Sequence, residues 1–427
     1  MRRLDGHRDL SGGRRTWRDV GVLVAGQGAT QLLNLAALAV VARTLGAADF
    51  GLVQVAVVMS AYAMVAAEAG LFTVGVRDLA RLDDLTARRR LVANRSGLLL
   101  VLALVAMVMF APLTRLLSLC AEDPILFLIY LGAVMPQAFM LDWAALGLGS
   151  ALGAGLARVV RAAVYLLIVA AWWATSAGLW DQPARRWLGI VFLISLSAGN
   201  LVAWAVVRRR LGGGLRPVFE GGRSWLATLK TSFPVGTANV VRRVLYGTDI
   251  LMLGILGSAA VAGRYAAAAK LGFVLVVGVE VALGALLPRL SRAWSQGSQE
   301  FALVLRRQLI VLVAVLAIAG SAGALLGPTV IGWVFGAAFA GSTSVLPLLM
   351  IAYPLLGIGL YLHEAQIAAH RQQGALIPLG AAAVAAVIGS FVMIPQRGAV
   401  GAAQAMILAH GLYALGGALR CRSLWRP

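Results

Sequence analysis

The sequence predicts an all-α integral membrane protein of about twelve transmembrane helices, built as two six-helix lobes related by a pseudo-two-fold axis along the membrane normal. Three observations carry this expectation. Of the 427 residues, 60% are hydrophobic and 13% charged, with a mean hydropathy of +0.86, whereas an ordinary soluble domain is about a quarter charged. Apolar runs bounded by charge, Gly or Pro recur along the whole chain. A shift of 212 residues sets charged positions of the first half on charged positions of the second.

In chain order the runs are 20–42, 50–72, 97–118, 124–147, 154–177, 187–207, 231–256, 264–287, 308–327, 343–362, 375–394 and 398–419. Each has roughly the 20 residues that cross about 30 Å of hydrocarbon. Together they leave only loops and tails, with no room for a separate soluble domain. The expected organisation is a basic tail 1–19, a lobe 20–207, a basic linker 208–230, a lobe 231–419 and a tail 420–427. Met1 to Arg18 is polar and no small-residue cleavage site follows the first run, so the first helix is expected to stay as an anchor. Pro234, Pro347, Pro354 and Pro378 lie inside runs and are expected to bend them.

The net charge of +20 rests on 35 arginines and two lysines. In a soluble chain it would point to nucleic acid. Here alternate loops and tails collect 28 of the 37 basic residues and the opposite loops six, while Arg242, Arg243 and Lys270 fall inside runs. Basic residues mark the cytoplasmic side, so both termini are expected there and nucleic acid is not an expected partner. Arg88-Arg89-Arg90 and Arg208-Arg209-Arg210 read as topology determinants touching anionic membrane lipids. Cys120 and Cys421 fall on opposite faces of this topology, so no disulfide is expected.

The repeat aligns Gly51 with Gly263, Glu68 with Glu280, Arg77 with Arg289 and Arg95 with Arg307. Six helices per half is an even number, which gives the halves parallel topology, the plan of a two-lobed carrier with its cavity between the lobes.

Six ionisable residues lie well inside runs: Glu68, Arg242, Arg243, Asp249, Lys270 and Glu280. Facing lipid they would cost on the order of 15–20 kcal/mol together, so they must be paired or line water. The seventh and eighth runs form a hairpin turning near Ala260. About that turn Asp249 matches Lys270 in depth, and Arg242 matches Glu280. These are either structural ion pairs or pairs that open to share a ligand. Arg243 is left over, about 100° around the helix from Arg242, and a guanidinium is suited to the phosphate oxygens of a lipid carrier. Asn239, Arg242, Tyr246 and Asp249 recur at spacings of three and four, giving the seventh run a polar stripe; Gln27, Gln31 and Asn34 do the same in the first. The two stripes read as facing cavity walls, against the plainer reading of interhelical hydrogen bonds worth about 0.6 kcal/mol each.

At matching depth on the first run Glu68 meets Gln27 and Gly28 rather than an arginine, which makes it a candidate for proton exchange, with Glu280 and Asp249 as further coupling or gating residues. Asp142 is expected to reach headgroups or water at the end of the fourth run. His363, Glu364 and His370 read as a solvated helix end, because a metal would need a third ligand of the right geometry. No metal, cofactor or catalytic residue is expected, and no phosphate-binding Gly-x-x-x-x-Gly-Lys-[Ser/Thr] loop is present.

Three stretches carry a resemblance: Ala42-Arg43-Thr44-Leu45-Gly46-Ala47-Ala48-Asp49-Phe50-Gly51 with Gly75-Val76-Arg77-Asp78-Leu79-Ala80-Arg81; Thr248-Asp249-Ile250-Leu251-Met252-Leu253-Gly254 with Gly263-Arg264-Tyr265 and Leu287-Pro288-Arg289-Leu290-Ser291; and Ile394-Pro395-Gln396-Arg397-Gly398-Ala399-Val400-Gly401. In order and spacing they resemble the oligosaccharide flippases, the O-antigen and exopolysaccharide translocases of the multidrug/oligosaccharidyl-lipid/polysaccharide exporter superfamily. The resemblance implies export of a sugar chain on a polyprenyl (pyro)phosphate by alternating access, in a bacterial-type cytoplasmic (inner) membrane, with polysaccharide polymerase and assembly proteins as further partners. Substrate contact then falls to Arg243, Arg242, Asn239, Tyr246, Lys270, Gln31 and Asn34. The competing readings are a drug/cation antiporter of the same superfamily and a membrane polysaccharide polymerase. The longest expected outer segment, 328–342, carries no charged residue and offers a polymerase no reaction site.

Overall fold

The computed structural model describes residues 10–116, 118–175, 184–213 and 215–424, which are helical almost throughout with no strand among them. The outer parts of the two expected tails, 1–9 and 425–427, lie outside the described residues.

The first helix, α1 (Leu10–Glu68), holds the first two expected spans, and they part at Gly46, where φ is 70°. That left-handed value is open to glycine without a Cβ penalty. Gly26 approaches Gly155 and Gly70 approaches Gly236, so both ends of α1 return to one end of the bundle. A short α2 (Leu71–Arg81) lies at that end, and α3 (Leu85–Phe110), capped by the Asp84 carboxylate accepting from the Ala87 N–H, climbs away from it. Small helices α4 (Leu113–Leu116) and α5 (Ser118–Glu122) turn the chain. The fourth span descends in three pieces, α6 (Pro124–Leu131), α7 (Val134–Ala138) and α8 (Asp142–Gly147), with Pro136 inside the middle one. Then α9 (Ala151–Thr175) and α10 (Ala184–Leu211) complete six crossings.

The second half repeats the plan. Helix α11 (Gly222–Leu256) carries Pro234 and is followed by α12 (Ala259–Gln296), α13 (Ser298–Phe335) and α14 (Leu346–Ala368). The last, α15 (Gln372–Cys421), parts at Gly398, where φ is 56°, and a hydrogen bond from Arg371 to Ser423 brings its two ends together. Among the described residues nine helices are long and apolar enough to cross a membrane; Gly26–Glu68 and Gln373–Leu424 each hold two crossings. Helix α11, with Arg242, Arg243 and Asp249, supplies the twelfth. The chain is thus a multi-pass membrane protein of two six-helix lobes. The linker expected at 208–230 is largely absorbed into α10 and α11.

One end of the bundle is basic. There Arg89 donates to the Leu211 and Gly212 carbonyls, Arg90 meets Glu220 at 2.5 Å, and the Val218 N–H donates to the Ala93 carbonyl. At the far end the lobes are locked together. Phe50 of α1 packs edge-on to Phe339 and 6.4 Å from Phe335 across the lobe boundary, and Arg43 donates to the carbonyls of Val334 and Trp333. Gly51 and Gly263, partners in the repeat, face each other there so closely that a Cβ on Gly51 would overlap the Ala259 carbonyl and one on Gly263 the Ala47 carbonyl. The far end of the first lobe is tied by Asp123, which is fully buried and bridges Arg185 (2.9 Å) and Arg186 (2.8 Å), while Arg185 also reaches Asp49 at 2.6 Å.

Burial raises the Asp123 carboxyl, but hydrogen bonds from Arg186, Arg185 and the Leu126 N–H outweigh it and hold the group below its usual value. The tie is therefore complete above the ordinary carboxylate range near pH 3.9 and lost as the pH falls through the lowered value. Asp123→Asn is expected to cost on the order of 2 kcal/mol at neutral pH. The stability gap to wild type should close on acidification below about pH 4, as followed by thermal unfolding in detergent. Gly263→Leu is expected to cost about 1–3 kcal/mol by overpacking, whereas Gly278→Leu, with nothing within 4 Å of the added Cβ, leaves the melting temperature unchanged.

Candidate functional site

Two seams join the lobes. Along one, the second span of α1 packs on α11 from end to end: Val55 against Gly254, Val58 against Gly247, and Ala69 and Gly70 against Gly236. At mid-height Tyr62 and Thr248 share a hydrogen bond of 2.9 Å across the boundary. At the other seam α1 meets α12, where Ala47, Gly51, Ala259 and Gly263 shut the far end. Toward the basic end both helices carry open positions. Gly28, Gly278 and Gly284 have no neighbour within 4 Å of a built Cβ, and Leu32, Asn34 and Glu280 are exposed.

The intramembrane charges collect beside these seams in the second lobe. Asp249 is buried and its two oxygens are taken, one by the Tyr265 hydroxyl at 2.9 Å and one by the Ile250 N–H at 2.8 Å. Glu280 accepts from the Tyr246 hydroxyl at 3.1 Å. Neither of the depth-matched pairs, Asp249 with Lys270 or Arg242 with Glu280, closes to 4.0 Å. Tyrosine hydroxyls stand where the sequence placed cations. Lys270 lies within electrostatic reach of Asp249 and of Arg243, which itself faces Tyr62 of the other lobe and Tyr246. The Nε atoms of Arg242 and Arg243 are buried without a hydrogen-bond partner. Three cations thus share a region in which Asp249 and Glu280 are already engaged.

Arg242 points deeper into the second lobe, within electrostatic reach of His363, Glu364 and Tyr413. His363 is buried, with Nδ1 3.2 Å from the Ala375 carbonyl and its ring 6.2 Å from Tyr413. The expected solvated helix end is corrected: His363 and Glu364 belong to the interior, and only His370 is exposed. No group of three or more His, Cys, Asp or Glu side chains that could hold a metal occurs among the described residues.

Asn239 is half-buried, as are Gln31 and Gln27, and none of them nor Asn34 makes a side-chain hydrogen bond among the described residues. Glu68 sits elsewhere. It lines a small pocket of the first lobe with Phe72, Leu99, Gln137, Met140 and Trp143, not Gln27 or Gly28, which corrects its expected neighbours. Asp142 is also corrected: it is buried, 3.7 Å from Arg158 and 3.8 Å from Arg161, and those two arginines turn into the lobe instead of marking a loop. Sequence reasoning missed Tyr62, Tyr265 and Tyr413. Tyr265 stood inside the Gly263-Arg264-Tyr265 stretch, but nothing in its spacing announced an acid partner.

Two pseudo-symmetric six-helix lobes, locked together at the far end, make up a multi-pass membrane protein. Its fold is similar to that of an inward-facing multidrug resistance MATE family transporter of the MOP superfamily (TM-score 0.71, 16% identity, 95% of this chain and 98% of that one). It is also similar to lipid II flippase MurJ in an inward closed conformation (0.74, 13%, 93% and 86%) and to a MOP superfamily transporter from Pyrococcus furiosus (0.61, 15%, 97% and 96%). At these identities the likeness is one of fold. No curated protein matches the sequence. Residues 16–294, well over half of the chain, match the family described as polysaccharide biosynthesis protein, and the chain belongs to that family.

The Tyr62–Thr248 bond is the hydroxyl link between the lobes at mid-height. Tyr62→Phe removes about 0.5–1.5 kcal/mol of it. Spin labels at Ala48 and Gly341 are expected to show a several-fold larger population with the far end open, and an unchanged distance distribution would mean that the bond does not hold the lobes.

Proposed function

We propose that the protein moves a polyprenyl-(pyro)phosphate-linked oligosaccharide from the leaflet at its basic end to the opposite leaflet by alternating access. The distribution of Arg and Lys supports assigning the basic end, with both termini, to the cytoplasm, and the family resemblance supports a bacterial-type cytoplasmic membrane. The observation that carries the reading is Arg243: half-buried at the lobe boundary beside Tyr62, its Nε unpartnered, and without a carboxylate within 4.0 Å. A guanidinium in that position offers bidentate hydrogen bonds to a phosphate that crosses between the lobes. Lys270 and Arg242 add positive field, and Asn239, Tyr246, Gln31 and Asn34 offer neutral hydrogen bonds to sugar hydroxyls.

The open positions on α1 and α12 toward the basic end support entry of the headgroup there while the polyprenyl tail stays in lipid. No covalent bond is made or broken in such a cycle, and the positive polarity of the region disfavours a cationic drug as cargo. Coupling is assigned to Glu280, exposed on α12, with Asp249 and Glu68 changing partners as the lobes rearrange.

In vesicles carrying a fluorescent polyprenyl-pyrophosphate sugar, Arg243→Ala is expected to lower headgroup translocation at least tenfold while the variant stays monodisperse. Arg243→Lys, a point charge without the planar fork, should retain part of the flux. Wild-type flux in Arg243→Ala would overturn the assignment.

A further inference from the structure

The 212-residue repeat exposes a difference between the lobes at the basic end. In the first lobe Arg77 and Arg95 converge on one acid: Asp78 accepts from Arg77 at 2.9 Å and from Arg95 at 2.5 Å, and the Arg95 guanidinium lies 5.8 Å from the Trp143 ring centroid. The shift that carries these arginines onto Arg289 and Arg307 carries Asp78 onto Leu290, which is wholly buried. The second lobe keeps both cations and lacks the carboxylate between them.

The consequence is visible in the packing. Neither Arg289 nor Arg307 has a hydrogen bond or ion pair among the described residues, and Arg292 donates only to the Pro288 carbonyl of its own helix, at 3.3 Å. All three line a groove of about 670 Å3 between α12 and α13. The groove contains one acid, Glu300, which pairs with none of them. Its deeper wall is apolar, formed by Leu286, Val311 and Val315.

Depth identifies the kind of anion. Helices α12 and α13 have 38 residues each and are joined by Gly297 alone. At 1.5 Å per residue each is about 57 Å long, far beyond roughly 30 Å of hydrocarbon, so their joined ends project past the membrane surface. Arg289 and Arg307 stand about 12 and 15 Å from the turn, at similar height, where the apolar runs 264–287 and 308–327 end and begin. That is the level of lipid phosphates, with the apolar wall running from there into the bilayer.

We propose that this groove is a binding site for an anionic phospholipid of the leaflet at the basic end. Its phosphodiester lies between Arg289 and Arg307 with Arg292 beside it, and an acyl chain lies along Leu286, Val311 and Val315. The lipid phosphate does for the second lobe what the Asp78 carboxylate does for the first. A zwitterionic headgroup brings its own ammonium toward three guanidinia and is disfavoured, which makes the site selective for net negative lipid.

The test measures binding, not transport, so it is independent of the proposed cargo. The full-length protein is equilibrated with equimolar phosphatidylglycerol and phosphatidylcholine, stripped by detergent washing and examined by native mass spectrometry and thermal unfolding. Wild type is expected to retain one more phosphatidylglycerol than Arg289→Gln/Arg307→Gln, whose affinity falls about tenfold or more, and to gain thermal stability from phosphatidylglycerol but not from phosphatidylcholine. Arg289→Lys/Arg307→Lys should keep the preference with weaker retention, and Arg216→Gln/Arg223→Gln, at exposed arginines of the basic end, should keep the adduct. Equal retention in the Gln variant overturns the site, as does equal loss in the Arg216/Arg223 control. If the Gln variant fails to fold, equal stabilisation of wild type by both lipids overturns it. Displacement of the lipid by inorganic phosphate would assign the cluster to a soluble anion and also overturns the proposal.

Discussion

A charge placed at the depth of hydrocarbon must be given an anion, a cation or water, because insertion costs about 2.5–3.5 kcal/mol for each one left facing lipid. The two lobes answer this demand differently although the sequence repeat makes them relatives. The first lobe is self-contained: Arg95 with Asp78, Arg158 and Arg161 around Asp142, and Arg185 and Arg186 around Asp123. The second lobe carries Arg242, Arg243 and Lys270, while Asp249 and Glu280 are already hydrogen-bonded to tyrosines or backbone. A scaffold whose buried aspartates hold their own arginines, beside a partner with Arg243 unpaired, places the attraction for a negative ligand on one side of the boundary.

Movement needs the lobes to separate without exposing polar backbone, and the seams are built for close approach. Small residues let the backbones meet, as Gly51 meets Gly263 and Gly70 meets Gly236, which is how helices pack where lipid tails compete with side chains for contact. The contacts between lobes are then backbone surfaces, the Tyr62–Thr248 hydroxyl pair, an aromatic cluster at the far end and a few hydrogen bonds, those of Arg43 to the Val334 and Trp333 carbonyls and of Asn94 with Ser224 and Trp225. Such contacts can be exchanged for lipid or water at modest cost, whereas the buried ion clusters of the first lobe cannot. The ion clusters therefore lie within a lobe and the small-residue contacts lie between lobes.

Much of this architecture could be read from the chain. Hydropathy located the spans, and helices of the structure overlap each of them, including the two places where Gly46 and Gly398 join two spans without a loop. The pairing of buried charges could not be read so far. Depth matching set Asp249 against Lys270 and Arg242 against Glu280, but a helix projects its side chains around a full circle and depth fixes only one coordinate. The rotation that turned Asp249 to Tyr265, Glu280 to Tyr246 and Arg242 toward Glu364 is a matter of which helices pack together. Asp142 and His363 were misplaced for the same reason: both lie near the end of a run, where solvent is the natural guess, yet each is covered by residues distant in sequence.

Composition, periodic apolar length and the alternation of basic loops by themselves determined a twelve-span helical membrane protein with a repeat, because crossing a bilayer is a constraint each segment meets on its own. Which cation faces an acid, which faces the lobe boundary, and which faces the membrane surface was decided only by tertiary structure. That choice depends on the azimuth of one helix against another, and no single segment encodes it.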